Sequence, residues 1–410
     1  MVDVNTRWID DDEAFAAVAE EIAAEPVYAI DTEFHRERTY WPHLALVQIA
    51  WPGGLVLVDP LAVDLAPLAR VFAAGNLAVV HAADQDLEVL DVACRATPQR
   101  LFDTQLAAGF LGYSSPSLAS LVERLLTTKL TKGDRLTDWT QRPLTDAQKR
   151  YAADDVAYLL AVHAELVRRL DKVGRRAWAE EECAEMLANP RPPQDPERAW
   201  WRIKESRSLR GAARGVCQAV AAWRERRAMS LDRPPRTVLS DLAVLGIAHR
   251  QPKTLGDLKS IRGLDSRQLR DDVAQELLGI VEEGRTRRPQ LGELPPTDDL
   301  DRRLRPAATL ASAWVAQLAQ DLKIDAALLA TRADLHDFLR EAPSGRLAHG
   351  WRAELVGERV KLLVDGHAAM AFRPGRGDLV LEERSGRELA PDIPVPDDDA
   401  DAPASGAAAG

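Results

Sequence analysis

Ile30-Asp31-Thr32-Glu33-Phe34 puts two carboxylic acids one residue apart at the end of an apolar run. Side chains alternate faces along a strand, so Asp31 and Glu33 stand together on one face. Two such carboxylates repel unless a cation lies between them, and an all-oxygen ligand pair points to a hard cation. A second constellation is Tyr151-Ala-Ala-Asp-Asp155, on a helix announced by Thr145 and Gln148 at capping-box spacing. Tyr151 and Asp155 are four apart and share a helical face, whereas Asp154 lies about 100° round from Asp155. Between the two constellations, Asp84 and Asp86 flank a helix start after His81, where either acid suits the positive end of the helix dipole. Leu101-Phe-Asp103-Thr-Gln supplies one more strand-borne acid. Taken singly, each has a plain reading as a strand end, an amphipathic helix or a cap.

The elements that must position these acids follow from periodicity. Val27–Ile30, Leu44–Ala50, Gly54–Val58 and Leu77–Val80 are short apolar, β-branched runs bounded by turn residues, hence strands. Helical patterns cover Leu65–Ala73, Asp84–Ala93, Ser117–Leu126 and Thr145–Leu170. Early strands sit close together and later ones alternate with helices, which predicts an α/β unit with a mixed sheet and helices packed on its faces.

Of the 410 residues, 46% are hydrophobic and 29% charged, enough to bury cores in two or three domains. No run approaches the roughly 18 apolar residues of a membrane span, and the acidic N-terminus does not read as a signal peptide. Cys94, Cys183 and Cys217 lie far apart, as suits a reducing cytoplasm, and no Cys/His cluster suggests zinc. Proline marks the seams. Residues 1–189 form the first unit and 190–197 a stiff linker, followed by a helical unit at 198–287 and a second linker at 288–298. Residues 299–373 form a third, helical unit, and 374–410 an acidic, Gly/Pro-rich tail expected to lack fixed structure. The net charge is −11, yet Arg198–Arg236 holds eleven bases against three acids, which points to a localised polyanion surface.

In order and spacing, the acids match the exonuclease motifs of the DEDD superfamily in its tyrosine-bearing form, and the chain most closely resembles the ribonuclease D family. The resemblance runs from Asp31-Thr-Glu-Phe-His-Arg through His81–Leu90 and Phe102-Asp-Thr-Gln to Leu136-Thr-Asp-Trp-Thr-Gln-Arg-Pro and Tyr151–Asp155. It implies a ribonuclease H-like sheet and a 3′→5′ exonuclease that releases nucleoside 5′-monophosphates from structured RNA such as tRNA precursors. It also implies that Asp31, Glu33, Asp86 and Asp155 bind two Mg²⁺ ions, with Mn²⁺ as an alternative, and that Tyr151 positions the attacking water. Such an ion pair would stabilise both the attacking and the leaving oxygen. Asp103 would support these ligands, and Phe34, Lys132 and Trp139 would grip the terminal nucleotides. His81 stands where relatives vary between His and Asn.

The second unit resembles an HRDC domain, the all-α module shared by RecQ-type helicases and ribonuclease D. The resemblance rests on Ala222-Trp-Arg224, Asp232-Arg-Pro-Pro-Arg236, Gln251-Pro-Lys-Thr254 and Ile261-Arg-Gly-Leu264. The third unit is a candidate diverged second copy. These modules are expected to hold RNA backbone through Arg and Lys. A DNA-trimming exonuclease and a non-catalytic nucleic-acid-binding protein are the alternatives, while a helicase is disfavoured because no GxxxxGK[ST] loop occurs. No obligate protein partner is evident.

Overall fold

The computed structural model describes residues 6–130, 137–189, 195–264, 271–287, 300–342 and 345–385. They fall into two units, Met1–Asp299 with Ala319–Leu329, and Leu300–Leu318 with Ala330–Gly410. The first unit is built on a six-stranded sheet. Its strands are β1 (Thr6–Ile9), β2 (Val27–His35), β3 (His43–Trp51), β4 (Gly54–Val58), β5 (Leu77–Val80) and β6 (Arg100–Asp103). Their order is β1-β4-β3-β2-β5-β6. β2, β3 and β4 form an antiparallel meander, β1 runs parallel to β4, and β5 and β6 run parallel to β2.

Eight helices accompany the sheet: α1 (Asp12–Ala23), α2 (Ala66–Ala73), α3 (Asp84–Cys94), α4 (Thr104–Gly109), α5 (Leu118–Leu126), α6 (Asp146–Ala157), α7 (Leu159–Lys172) and α8 (Arg176–Ala188). Both faces are covered, which is why Leu44–Trp51 is buried without a break. On one face Tyr28, Ile30, Val47 and Ile49 pack with Phe15, Ile22, Phe72, Leu90 and Cys183. On the other, Ala29, Leu46, Leu57 and Val79 pack with Ala152, Val156 and Leu159. Strand β1 and helix α1 are additions to the sequence-based expectation. The single helix expected over Thr145–Leu170 is interrupted at Tyr158, and β2 continues past Ile30 to His35, so both acids lie within the strand.

The helical part of this unit opens with a 3₁₀ segment, Pro196–Arg202, capped by the Asp195 carboxylate. It continues through α9 (Gly211–Leu231), α10 (Pro235–Val238), α11 (Asp241–Arg250), α12 (Leu255–Lys259) and α13 (Asp271–Thr286). Trp200, Val216, Val220, Val244, Ile247, Leu258, Leu277 and Val281 form its core. Where α9 meets α13, a Cβ on Gly215 would overlap the Gly284 carbonyl oxygen, so the close approach requires glycine.

Part of the expected polyanion surface is engaged in internal pairing. Arg202 meets Glu225, Arg224 meets Asp241, Arg226 meets Glu197 and Arg227 meets Glu276, at 2.6–3.2 Å. Arg214 donates to the Leu209 carbonyl instead.

Helix α14 (Arg305–Leu322) begins in the second unit and ends in the first, where α15 (Ala326–Leu329) follows it. The rest of the second unit comprises α16 (Arg332–Leu339), α17 (Gly350–Arg352), a π-turned segment Ala353–Gly357, α18 (Glu358–Val364), β7 (Ala368–Arg373) and β8 (Asp378–Glu383). The last two pair as an antiparallel hairpin, with Gly377 at φ 71° in the turn. This corrects the expectation of a tail without fixed structure from residue 374. Residues 374–377 form a hairpin turn and Asp378–Glu383 pairs with β7, while the rest of the expected tail, 386–410, lies outside the described residues.

Candidate active site

The acids gather where β2 outruns its parallel neighbour. Pairing with β5 stops at Ala29 opposite Val79, so the stretch from Ile30 onward lacks β5 along that edge. Because faces alternate, Asp31 and Glu33 project on the side of Ala29, the face covered by α6. The capping box that starts α6 is present: the Gln148 backbone N–H donates to Thr145 Oγ1 at 3.2 Å, and Gln148 Oε1 accepts from the Thr145 backbone N–H at 2.7 Å. Packing of Ala152 and Val156 on the sheet then fixes the rotation of α6. That rotation selects Asp155 over Asp154. One carboxylate oxygen each from Asp31, Glu33 and Asp155 lie within 4.8 Å of one another.

Asp86 arrives from the other face. Helix α3 begins beyond the end of β5, after a turn in which Ala82 adopts φ 62°. Thr32, on the opposite side of β2 from Asp31, donates its hydroxyl to Asp86 Oδ1. Asp84, the other acid at this helix start, is exposed.

The electrostatics are those of an uncompensated acid cluster. Burial, then the charges of Asp86, Asp155 and Glu33, hold Asp31 well above the usual carboxylate range. Burial, then Asp155 and Asp86, push Glu33 up to about 8. Burial raises Asp86 to about 6 against the opposing Thr32 hydrogen bond. The neighbouring charges that act on Asp31 and Glu33 are those of other acids in the cluster. An all-oxygen donor set in this state fits a divalent cation, which discharges the repulsion and favours ionised ligands.

Tyr151 is half-buried one helical turn before Asp155, its ring 6.0 Å from that of Trp139 at 30°. Trp139 is 6% exposed and belongs to the core. Its ring packs against Tyr151 and the core under α6, so any contact it makes with a terminal nucleotide would be made at its exposed edge. Phe34 is half-buried at the edge of the other core, and Lys132 lies outside the described residues. Both ring nitrogens of His81 are engaged, Nδ1 with Thr104 Oγ1 at 2.9 Å and Nε2 with the Pro116 carbonyl at 3.1 Å.

Asp103 is 2% exposed and touches no cluster acid directly. Its Oδ1 accepts from the N–H groups of Ala82, Gln105 and Leu106 and its Oδ2 from Ala83, at 2.8–3.1 Å. One carboxylate thus pins the Ala82 turn that launches α3 and caps α4 as well. Two supporting features lie outside the sequence-based expectation. One is the Thr32 hydroxyl, for which the Asp-Thr-Glu alternation is itself the signal. The other is Arg142, which pairs in bidentate fashion with buried Asp59 at 2.6 Å and donates to the carbonyls of Ala45 and Trp139. That clamp holds the segment before α6, and nothing in the sequence joins two residues 83 apart.

Comparison with known proteins agrees with this geometry. A family model described as a 3′-5′ exonuclease matches residues 6–171, and an HRDC domain model matches 213–281. The chain is 38% identical to ribonuclease D of Jannaschia sp., covering 87% of this chain and 95% of that one. It is also 38% identical to ribonuclease D of Nitrobacter hamburgensis, covering 90% and 97%. Among solved structures it matches Escherichia coli RNase D with a TM-score of 0.79 and 33% identity, over 88% of this chain and 99% of that one. No helix among the described residues is long and apolar enough to cross a membrane. Because the likeness spans nuclease and helical parts alike and the acid cluster lies within the residues that the exonuclease model matches, the chain belongs to the ribonuclease D family and is a 3′→5′ exoribonuclease.

Proposed function

We propose that this enzyme trims the 3′ ends of structured RNA, tRNA precursors among them, releasing nucleoside 5′-monophosphates with the help of two Mg²⁺ ions, for which Mn²⁺ can substitute. The observation that carries the reading is the convergence of Asp31, Glu33 and Asp155, with Asp86 beside them, in a half-buried cluster where the acids raise one another's pKa. These four carboxylates would hold the ions, which supply Lewis acidity toward water and the leaving 3′-oxygen. The Tyr151 hydroxyl, on the same helical face as Asp155, orients the attacking water; a phenol is a poor base at neutral pH, so its part is positional. Phe34 lies at the strand end where the terminal nucleotide would rest. Asp103 acts through the Ala82 turn, holding α3 and hence Asp86 in place. The matched Escherichia coli enzyme is described as an exoribonuclease involved in structured RNA processing, which supports the substrate class. Cys94, Cys183 and Cys217 are all free thiols, which supports a reducing, cytoplasmic setting.

The test is digestion of a tRNA precursor with a 3′ trailer beside DNA of the same sequence, both labelled at the 5′ end. Stepwise shortening of the RNA, release of 5′-monophosphates and arrest by EDTA are expected. Preferential loss of the DNA, release of 3′-monophosphates or activity that survives EDTA would overturn the reading. In the same assay Tyr151→Phe is expected to lower single-turnover kcat by about 10²–10⁴-fold with its melting temperature unchanged.

A further inference from the structure

Helix α9 of the HRDC part ends at Asp232 in the left-handed conformation, φ 46° and ψ 52°. The carboxylate reaches into the nuclease loop that joins β2 to β3. Asp232 Oδ1 accepts from the backbone N–H groups of Tyr40 and Trp41, both at 3.0 Å, and Oδ2 meets His43 Nε2 at 2.7 Å. Two turns back on α9, buried Glu225 accepts from the Tyr40 hydroxyl at 2.7 Å and from Arg202 at the same distance. The other end of the loop is fastened too: Arg36 Nη2 donates to both carboxylate oxygens of Glu88 on α3, at 3.2 and 3.3 Å.

This loop leaves β2 three residues after Glu33. It therefore joins the strand that carries Asp31 and Glu33 to the helix that carries Asp86, and its far end hangs on a side chain of the HRDC part. A cleft of about 650 Å³, lined by Arg36, Tyr40, Trp41, Leu87 and Arg236 among others, lies along it, so little else braces the loop on that side. We propose that Asp232 is a positioning residue for the nuclease reaction: by clamping residues 40–43 it fixes the register between β2 and α3, and with it the spacing of Asp31 and Glu33 from Asp86. The HRDC part thereby helps to build the catalytic site, in addition to any hold it has on RNA. The consequence for metal binding rests on the carboxylate assignment proposed above.

Substitution at Asp232 separates the clamp from folding, because glycine accepts the left-handed conformation without strain and is the favoured residue at such a helix end. In the full chain, Asp232→Gly is expected to keep the wild-type melting temperature while the Tyr40 and Trp41 amides exchange faster with deuterium. Mn²⁺ binding, followed by calorimetry without RNA, should weaken about tenfold. Single-turnover kcat should fall about tenfold while KM for RNA changes less. Asp232→Asn keeps an acceptor oxygen for the two amides and should recover most of each loss. Wild-type Mn²⁺ affinity and kcat in Asp232→Gly would overturn the proposal, as would equal impairment of the Asn and Gly variants. Failure of the metal assignment would show separately, as wild-type protein that binds no Mn²⁺; amide exchange at Tyr40 and Trp41 would still decide the clamp.

Discussion

Two carboxylate sites lie on two parallel strands, one toward the C-terminal end of β2 and one at the end of β6, with only β5 between them, and they solve opposite problems. At the end of β6, Asp103 is almost wholly buried, and four backbone N–H groups converge on it. Toward the end of β2, Asp31 and Glu33 face Asp155 and Asp86, and the charges acting on them are those of other acids. The difference lies in what faces the oxygens: amides compensate one buried carboxylate and fix a turn, whereas carboxylates facing one another stay uncompensated until a cation arrives. An acid satisfied by amides and acids that face one another are told apart by their partners, since both kinds stand on parallel strands of one sheet.

The largest test of that contrast removes a cluster acid. Asp31→Asn, and equally Asp155→Asn, is expected to lower turnover by at least about 10³-fold, or about 4 kcal/mol of barrier, while RNA affinity is retained. Without metal, each variant should melt higher than the wild type, because a repulsive charge has gone. Single-turnover cleavage and melting curves in EDTA measure the two effects; near-normal turnover, or a lower melting temperature in EDTA, would break the comparison.

A smaller effect is expected on the other side. Asp103→Asn turns one acceptor oxygen into an amide donor facing N–H groups, for about 1–3 kcal/mol of lost stability. Through the Ala82 turn it should also lower kcat by about 10–100-fold. Urea denaturation beside kinetics separates the terms, and a variant as stable as the wild type would deny Asp103 its structural role.

The smallest effect is the pH dependence. Glu33 in the metal-free fold titrates near 8 against an ordinary 4.5, so between these values the folded state binds more protons than the unfolded one. Metal-free stability contributed by this group is full below about 4.5 and falls as pH rises toward 8. A cation reverses the loss by displacing the proton. The melting-temperature gain on adding Mg²⁺ should therefore grow from pH 6 to pH 8.5. A gain that is flat or shrinks over that range would contradict the cluster's electrostatics.

Much of this site is legible in the chain's local patterns. The Asp31/Glu33 alternation, the Thr145/Gln148 cap and the Tyr151/Asp155 spacing are all short-range, and local geometry follows from residue type and period. The pairing within the basic stretch at Arg198–Arg236 is hidden for the converse reason. A count of arginines does not reveal that Glu197, Asp241 and Glu276 fold back onto them.

By itself the sequence determined which strand carries two acids on one face and which helix carries the tyrosine and its aspartate. These are consequences of periods of 2 and 3.6 residues and of capping chemistry, which act over a few residues. Tertiary structure alone decided that Asp155 and not Asp154 joins the cluster, since the rotation of α6 is set by Ala152 and Val156 against the sheet. It alone brought Thr32 to Asp86, Asp59 to Arg142 and Asp232 to the β2–β3 loop, partners 54, 83 and about 190 residues apart. Contacts at such separations depend on how whole elements pack, and no local pattern in the chain encodes them.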